Sequence, residues 1–437
     1  MTERITRRRL LHSGAAAGVV GLAGCLGDGS AGDASDEGGD SDETPTPTPG
    51  SDATPGGETG DEEGDETIDE PDDQPSDGTT DDSDREPETD RPLTGEFVPS
   101  LSAFDEAMVA FMEEHDVEAG VLGVANGGEV LLERGYGWAD PDLTEPLPPD
   151  AIFRIGSISK PITDAAVVKL AEEGRLAGDD AVVPLLNVEP PGGEPEDERF
   201  QDVTVEHLLT HRGGWDSGVA GDPMFEQVEV AQALDLSGPP DKYDITRYML
   251  DQPMQFDPGA RQAYSNFGYS LLGQVIEGVT GSDYQEYVES EVLGSAGVDG
   301  IEIGRTRPEN RPPTEVWYDA PSDCPSVFEL DESEEHSCAD AWFDLRAFDS
   351  AGGHVAPTTS LLEFLDAYLL TGEPREQRQG RTLRFRGSLP GSWAVARQHP
   401  DGVDYVAMVN ERQLPLSVNH QIEESLDDAV VAVEEWP

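Results

Sequence analysis

The chain has 437 residues, of which 92 are Asp or Glu and 27 are Lys or Arg, a formal net charge of −65 at neutral pH. No basic patch offsets that field, which argues against a nucleic-acid-binding protein. Three residues are lysine (Lys160, Lys169 and Lys242), and an acid excess with so little lysine is the solvation strategy of proteins working in molar salt, where charge repulsion is screened.

Thr6-Arg7-Arg8-Arg9-Leu10-Leu11 matches a twin-arginine export signal. The weakly apolar run after it is too short and too rich in Gly and Ala for a membrane span. It closes on Leu22-Ala23-Gly24-Cys25, which resembles the lipobox of exported lipoproteins. Residues 1–25 are therefore read as a signal whose Cys25 is lipidated, anchoring the protein on the outer face of the cell membrane; cleavage without lipidation is the alternative. A twin-arginine route passes folded proteins, which suits a chain that needs high salt to fold. Residues 26–94 hold 25 acidic and two basic side chains among Gly, Pro, Thr and Ser. Such a stretch cannot bury enough apolar surface to offset its ordering entropy, and it reads as a disordered, self-repelling tether. Residues 95–437 remain as one folded domain, with 66 acidic and 21 basic side chains.

Within that domain, 100–117 carries apolar residues at helical spacing. Residues 119–140 alternate around Asn126-Gly127-Gly128, a hairpin pattern. A helix is predicted over Ser157–Leu176, then more helices and loops to about residue 350. A second hairpin turning at Asp401-Gly402 and a helix over 418–436 close the chain. Strands at both ends with helices between them predict an α/β fold of the α+β kind. One antiparallel sheet is built from both chain ends and flanked by the terminal helices, with a mostly helical lobe inserted. Ligands would sit in the cleft between sheet and lobe. Cys324 and Cys338 flank the acidic insertion "CPSVFELDESEEHSC". Outside the cytoplasm they could form a disulfide, two free thiols being the alternative. The acidic run lacks the ligand spacing and central Gly of a calcium loop.

Two stretches carry chemistry. In "FRIGSISKPIT" (153–163), Ser157 and Lys160 stand at i and i+3, on one helix face and within reach of each other. Pro161 is tolerated only in a first turn, so the helix starts close to Ser157. A serine there meets the positive end of the helix dipole, with N–H groups free to stabilise an oxyanion. A lysine of lowered pKa can take its proton. The plainer reading is Ser157 as a helix cap beside an exposed Lys160. In "FDPGARQAYSNFGYSLLG", Asn266 is well placed to cap the following helix. Brought against a Ser–Lys pair, however, Tyr264 can shuttle a proton to a leaving group and Asn266 can hold the lysine and a substrate carbonyl. His207 and His211 have the spacing of zinc ligands on a helix, but the Glu of a zinc peptidase is missing, and no metal site is expected.

These stretches, with "VTVEHLLTHRGGW", "SAGGHVAPTTSLLEFL" and "GSLPGSWAVARQHPDGVDYVAMVNE", occur in an order and over a range (about 97–437) that resembles a known family. It is that of the serine β-lactamase-like hydrolases related to penicillin-binding proteins, in the branch of class C β-lactamases, esterases and D-aminopeptidases. The resemblance implies that Ser157 is the acylated nucleophile and Lys160 its base or proton relay. It implies that Tyr264 exchanges protons with nucleophile and leaving group, and that Asn266 holds substrate and lysine. The family's third motif, Lys or His followed by any residue and Gly, falls on Phe385-Arg386-Gly387. Gly387 and Ser388 fit, and the Ser388 N–H would be the second oxyanion donor beside that of Ser157. Phe385 departs from the pattern, in which a cation or imidazole steers substrate carboxylates. Arg386 should point to the opposite face of its strand. His354 in "AGGHVAP" is a candidate substitute, or an ordinary loop histidine. The expectation is a cofactor-free hydrolase of small esters, amides or peptides, monomeric, on the surface of a halophilic archaeon. A non-catalytic binding domain on the same scaffold is the alternative.

Overall fold

The alternating stretches at the two chain ends pair with each other. The computed structural model describes residues 85–437 apart from 191, 331–333, 379 and 412–415. The expected signal, its Cys25 and residues 26–84 of the expected tether lie outside the described residues. Strands β1 (Leu93–Thr94), β2 (Ala119–Asn126) and β3 (Glu129–Gly137) come first. Three short strands follow: β4 (Phe153–Arg154), β5 (Glu302–Ile303) and β6 (His354–Ala356). The chain closes with β7 (Leu383–Leu389), β8 (Ser392–Gln398) and β9 (Val403–Val409). A six-stranded antiparallel sheet has the order β1-β3-β2-β9-β8-β7, and its centre is the pairing of β2 with β9, Gly120 opposite Val409.

Successive side chains on a strand point to opposite faces, and here each face has its own core. Trp393 and Val395 of β8 and Tyr405 and Ala407 of β9 pack with Phe104, Met108 and Met112 of helix α1 (Ser102–Glu114). Ala394, Ala396, Val406 and Met408, their immediate neighbours in sequence, pack on the other side with the helical lobe. That lobe holds α2 (Ser159–Glu172), α3 (Val205–Leu209), α4 (Asn266–Thr280) and α5 (Thr358–Ala367). The closing helix α6 (Leu416–Ala432) lies beside α1 and contributes Ile422 and Leu426. Its buried Glu423 accepts from Arg384 and Arg386 of β7 and forms an ion pair with Arg397 of β8. Arg386 thus points away from the lobe, as its strand position required.

Three expectations need correction. The sheet begins inside the segment assigned to the tether: Leu93 and Thr94 pair with Tyr136 and Gly135, and Glu86 pairs with the buried Arg134, which Asp105 also holds at 3.1 Å. Two strand residues are too few to alter the composition of their surroundings. The helix expected over 157–176 opens with a 3₁₀ turn, Gly156–Ile158, and its α-helical part stops at Glu172. Ser265, not Asn266, caps α4, its Oγ accepting from the Gly268 N–H at 3.0 Å. Beyond these, β4, β6 and β5 form a second, three-stranded sheet, whose strands of two or three residues are too short to show a period. Cys324 and Cys338 form a disulfide with their Cα atoms 5.0 Å apart. Among the described residues no helix is long and apolar enough to cross a membrane.

Candidate active site

The turn carrying Ser157 packs against β7 and β8 of the six-stranded sheet. Gly156 has φ +51, and a Cβ there would stand 2.7 Å from the Ser388 backbone nitrogen. A Cβ on Gly387 would stand 1.8 Å from the Ile155 carbonyl oxygen and 3.0 Å from the Ser157 nitrogen. Only glycine fits either position, and together they bring strand β7, an edge of the six-stranded sheet, against the turn. The β7–β8 hairpin has a two-residue loop with Leu389 opposite Ser392. That makes Leu389–Ser392 the hydrogen-bonded pair and turns the Ser388 N–H to the outer edge, toward the turn. The N–H groups of Ser157 and Ser388 are thus brought together at one edge, the arrangement an oxyanion requires.

Lys160 sits on the first turn of α2, fully buried, and not exposed as the plainer reading had it. Its Nζ lies 3.2 Å from Ser157 Oγ, 2.8 Å from Asn266 Oδ1 and 2.5 Å from the Ala351 carbonyl oxygen. Burial drives its pKa down to about 7, with the Asp222 and Asp164 carboxylates pulling the other way. A neutral amine has two N–H groups and one lone pair. The carbonyl oxygens of Asn266 and Ala351 are acceptors only, so they take the two N–H groups and leave the lone pair facing Ser157 Oγ. Tyr264 completes the cluster, its OH 2.6 Å from Ser157 Oγ and its ring centroid 4.9 Å from Lys160 Nζ.

The surroundings contain groups that the sequence reading assigned elsewhere or passed over. His211 follows the end of α3 at φ +55, so it and His207 do not share a helix face. Its Nδ1 accepts from the Ser265 N–H at 3.2 Å, and its ring lies 4.5 Å from that of Tyr264. Burial pushes its pKa to about 3, leaving it neutral. His207 Nδ1 accepts from the Thr204 N–H in the capping box of α3. Asp164, one turn beyond Lys160 on α2, accepts from Tyr269 OH at 2.9 Å, and burial raises its pKa to about 7. An acid four residues after the lysine was a signal the spacing offered. Asp222 accepts from Asn266 Nδ2 at 2.7 Å; it lies in an irregular loop with no pattern to mark it. Among the described residues, the three grouped at ligand spacing are Asp323, Cys324 and Cys338, and the disulfide occupies both sulfurs.

The third motif stays without its cation. Phe385 is half-buried and packs on the lobe-side core. His354 is neither a loop residue nor a substitute: it lies buried on β6, its ring 6.0 Å from that of Tyr284, and burial lowers its pKa to about 3.

Comparison with known proteins gives the family and the fold. The sequence is similar to esterase EstB of Burkholderia gladioli, 31% identical over 218 residues, 48% of this chain and 52% of that protein. The chain spans between a third and about half the length of the curated relatives it matches. Among solved structures, the octameric penicillin-binding protein homologue from Pyrococcus abyssi superposes with a TM-score of 0.53 at 20% identity, over 77% of this chain and 79% of that one. The D-amino acid amidase from Ochrobactrum anthropi SV3 gives a TM-score of 0.55 at 18% identity, over 75% and 99%. At such identities the structures speak to the fold alone. The sequence pattern of the Beta-lactamase family matches residues 104–421, and the chain belongs to that family, whose members include serine hydrolases.

Proposed function

We propose that the protein is a serine hydrolase that forms an acyl-enzyme on Ser157 and cleaves small esters or amides. One observation carries the reading: a single hydroxyl, Ser157 Oγ, is within hydrogen-bond distance of a buried lysine and a tyrosine at once. In the proposed reaction Lys160 takes the Ser157 proton as Oγ attacks the carbonyl carbon. The oxyanion lies between the N–H groups of Ser157 and Ser388. Tyr264 gives its proton to the departing alkoxide or amine and is left as a phenolate beside the Lys160 ammonium. Water then attacks the acyl carbonyl and its proton returns to Tyr264. The Lys160 proton goes back to Ser157 Oγ as the acid leaves. Phe385 offers no charge to a substrate carboxylate, which favours neutral acyl groups over carboxy-terminal peptides. The esterase relative supports cleavage of esters. Export and anchoring through Cys25, with the acidic segment as spacer, complete the proposal.

The test is a panel of p-nitrophenyl esters, D-amino acid amides and nitrocefin, assayed in molar salt with wild type and Ser157→Ala. Turnover of at least one ester or amide, lost in the variant, is expected. No turnover of any of them, or turnover that survives the substitution, favours the non-catalytic binding domain.

A further inference from the structure

An asparagine side chain between two partners is held only if each partner accepts one chemistry. Lysine donates and never accepts, so Lys160 fixes which end of the Asn266 amide faces it. Nothing in that contact stops the amide from swinging away. The opposing contact is Asp222, whose Oδ2 accepts from Asn266 Nδ2 at 2.7 Å. Its other oxygen, Oδ1, accepts from the Met224 N–H at 3.1 Å. Both oxygens act as acceptors; burial raises the pKa, and against it the Asn266 and Met224 N–H groups with the Lys160 charge favour the carboxylate. The turn that carries Asp222 is itself fixed. The Phe225 and Glu226 N–H groups donate to the Asp222 carbonyl oxygen at 2.9 and 3.0 Å. Phe225 then inserts its ring among Trp342, Phe343 and Phe348, with centroids 5.4, 5.4 and 4.8 Å away.

We propose that Asp222 is the positioning residue of this site: its carboxylate locks Asn266 with the carbonyl oxygen on Lys160, and its charge faces the lysine across the amide. The inference rests on the reading of Ser157 and Lys160 as the reactive pair and deepens it. The chain of contacts runs from the aromatic box through Phe225 and Asp222 to Asn266, Lys160 and Ser157. Without Asp222 the amide loses its anchor, and the lone pair of Lys160 is no longer directed at the serine. The charged and titratable groups facing Lys160 are Asp222 from this turn, Asp164 from its own helix, His211 from the segment after α3, and Tyr264 and Tyr269 from α4 and the residues before it. Asp222 is the larger of the two carboxylate influences that keep the lysine protonated.

Two substitutions separate hydrogen bond from charge. Asp222→Ala removes both, and kcat for a p-nitrophenyl ester at the pH plateau should fall about tenfold or more with a smaller change in KM, the size expected when a catalytic group is displaced. Asp222→Asn keeps its one acceptor oxygen for Asn266 Nδ2 and loses the charge, together with the bond from the Met224 N–H, which then faces an NH2 group. It should recover most of the kcat loss and move the acid limb of kcat/KM to lower pH, because Lys160 loses a neighbouring anion. A folded Asp222→Ala with wild-type kcat overturns the proposal. So does an Asp222→Asn that loses as much kcat as Asp222→Ala, or that leaves the acid limb unmoved. Crystal structures of wild type and Asp222→Ala read the same claim without turnover: Asn266 should leave Lys160 in the variant, and an unmoved amide overturns it. Absence of ester hydrolysis and of fluorophosphonate labelling in the wild type counts against the hydrolase reading instead, while the pair of crystal structures still decides the role of Asp222.

Discussion

The protonation of Lys160 sets a pH dependence that can be worked through. With its pKa near 7, about 90% of the lysine is neutral at pH 8, against about 0.4% for a lysine at its ordinary 10.4, a gain of about 200-fold in available base. Below pH 7 the third N–H returns, points at Ser157 Oγ, and the lone pair is gone. Activity should therefore rise with pH along an acid limb centred near 7 and be level above it. Asp164 titrates in the same window, and Asp164→Asn separates the two. The limb should persist in that variant and move to lower pH, since Lys160 has lost an anion that favoured its charged form. Lys160→Arg keeps the positive charge but cannot release a proton, and should lose about 100-fold or more in acylation rate. The assay is stopped-flow release of p-nitrophenol in molar salt from pH 5 to 10. A limb near pH 10, no limb at all, or a Lys160→Arg variant within threefold of wild type would refute the reasoning.

Three further outcomes follow from other parts of the fold. Glu423→Gln leaves Arg384, Arg386 and Arg397 facing a neutral group at a buried position, and should cost about 3 kcal/mol in chemical denaturation; a loss below 1 kcal/mol would mean the cluster is already hydrated. Removing the Cys324–Cys338 bond with a double serine substitution opens a loop with a sequence separation of 14. It should lower stability by up to about 3 kcal/mol, read as a shift in the denaturation midpoint between oxidised wild type and variant. Phe385→Lys puts a cation where the family pattern has one, and should lower KM for a carboxylate-bearing ester relative to a neutral ester by about fivefold, the worth of one partly exposed ion pair. Equal KM changes for both esters would remove Phe385 from the account of specificity.

The parts of this molecule that were legible in the sequence are those with a strong local pattern. Ser157 and Lys160 are three residues apart on one turn, so their contact is a property of the helix. The two-end sheet follows from alternation long enough to count, seven to nine residues in β2, β3, β8 and β9. What escaped depends on contacts between distant segments. Asp222 and Asn266 are 44 positions apart, and an aspartate in a Gly-Pro loop of a chain with 92 acids carries no local mark. His354 misled because its burial comes from Tyr284 and the second sheet. Asn266 read as a cap because the true cap, Ser265, is the neighbouring residue of equal propensity.

The central claim is that Ser157 is a nucleophile, and the direct measurement is the intact mass of the protein in molar salt after exposure to a fluorophosphonate, followed by peptide mapping. The account predicts one stoichiometric adduct on the peptide carrying Ser157, absent from Ser157→Ala and slowed in Lys160→Arg. An unmodified wild type, or an adduct on another residue, would contradict it.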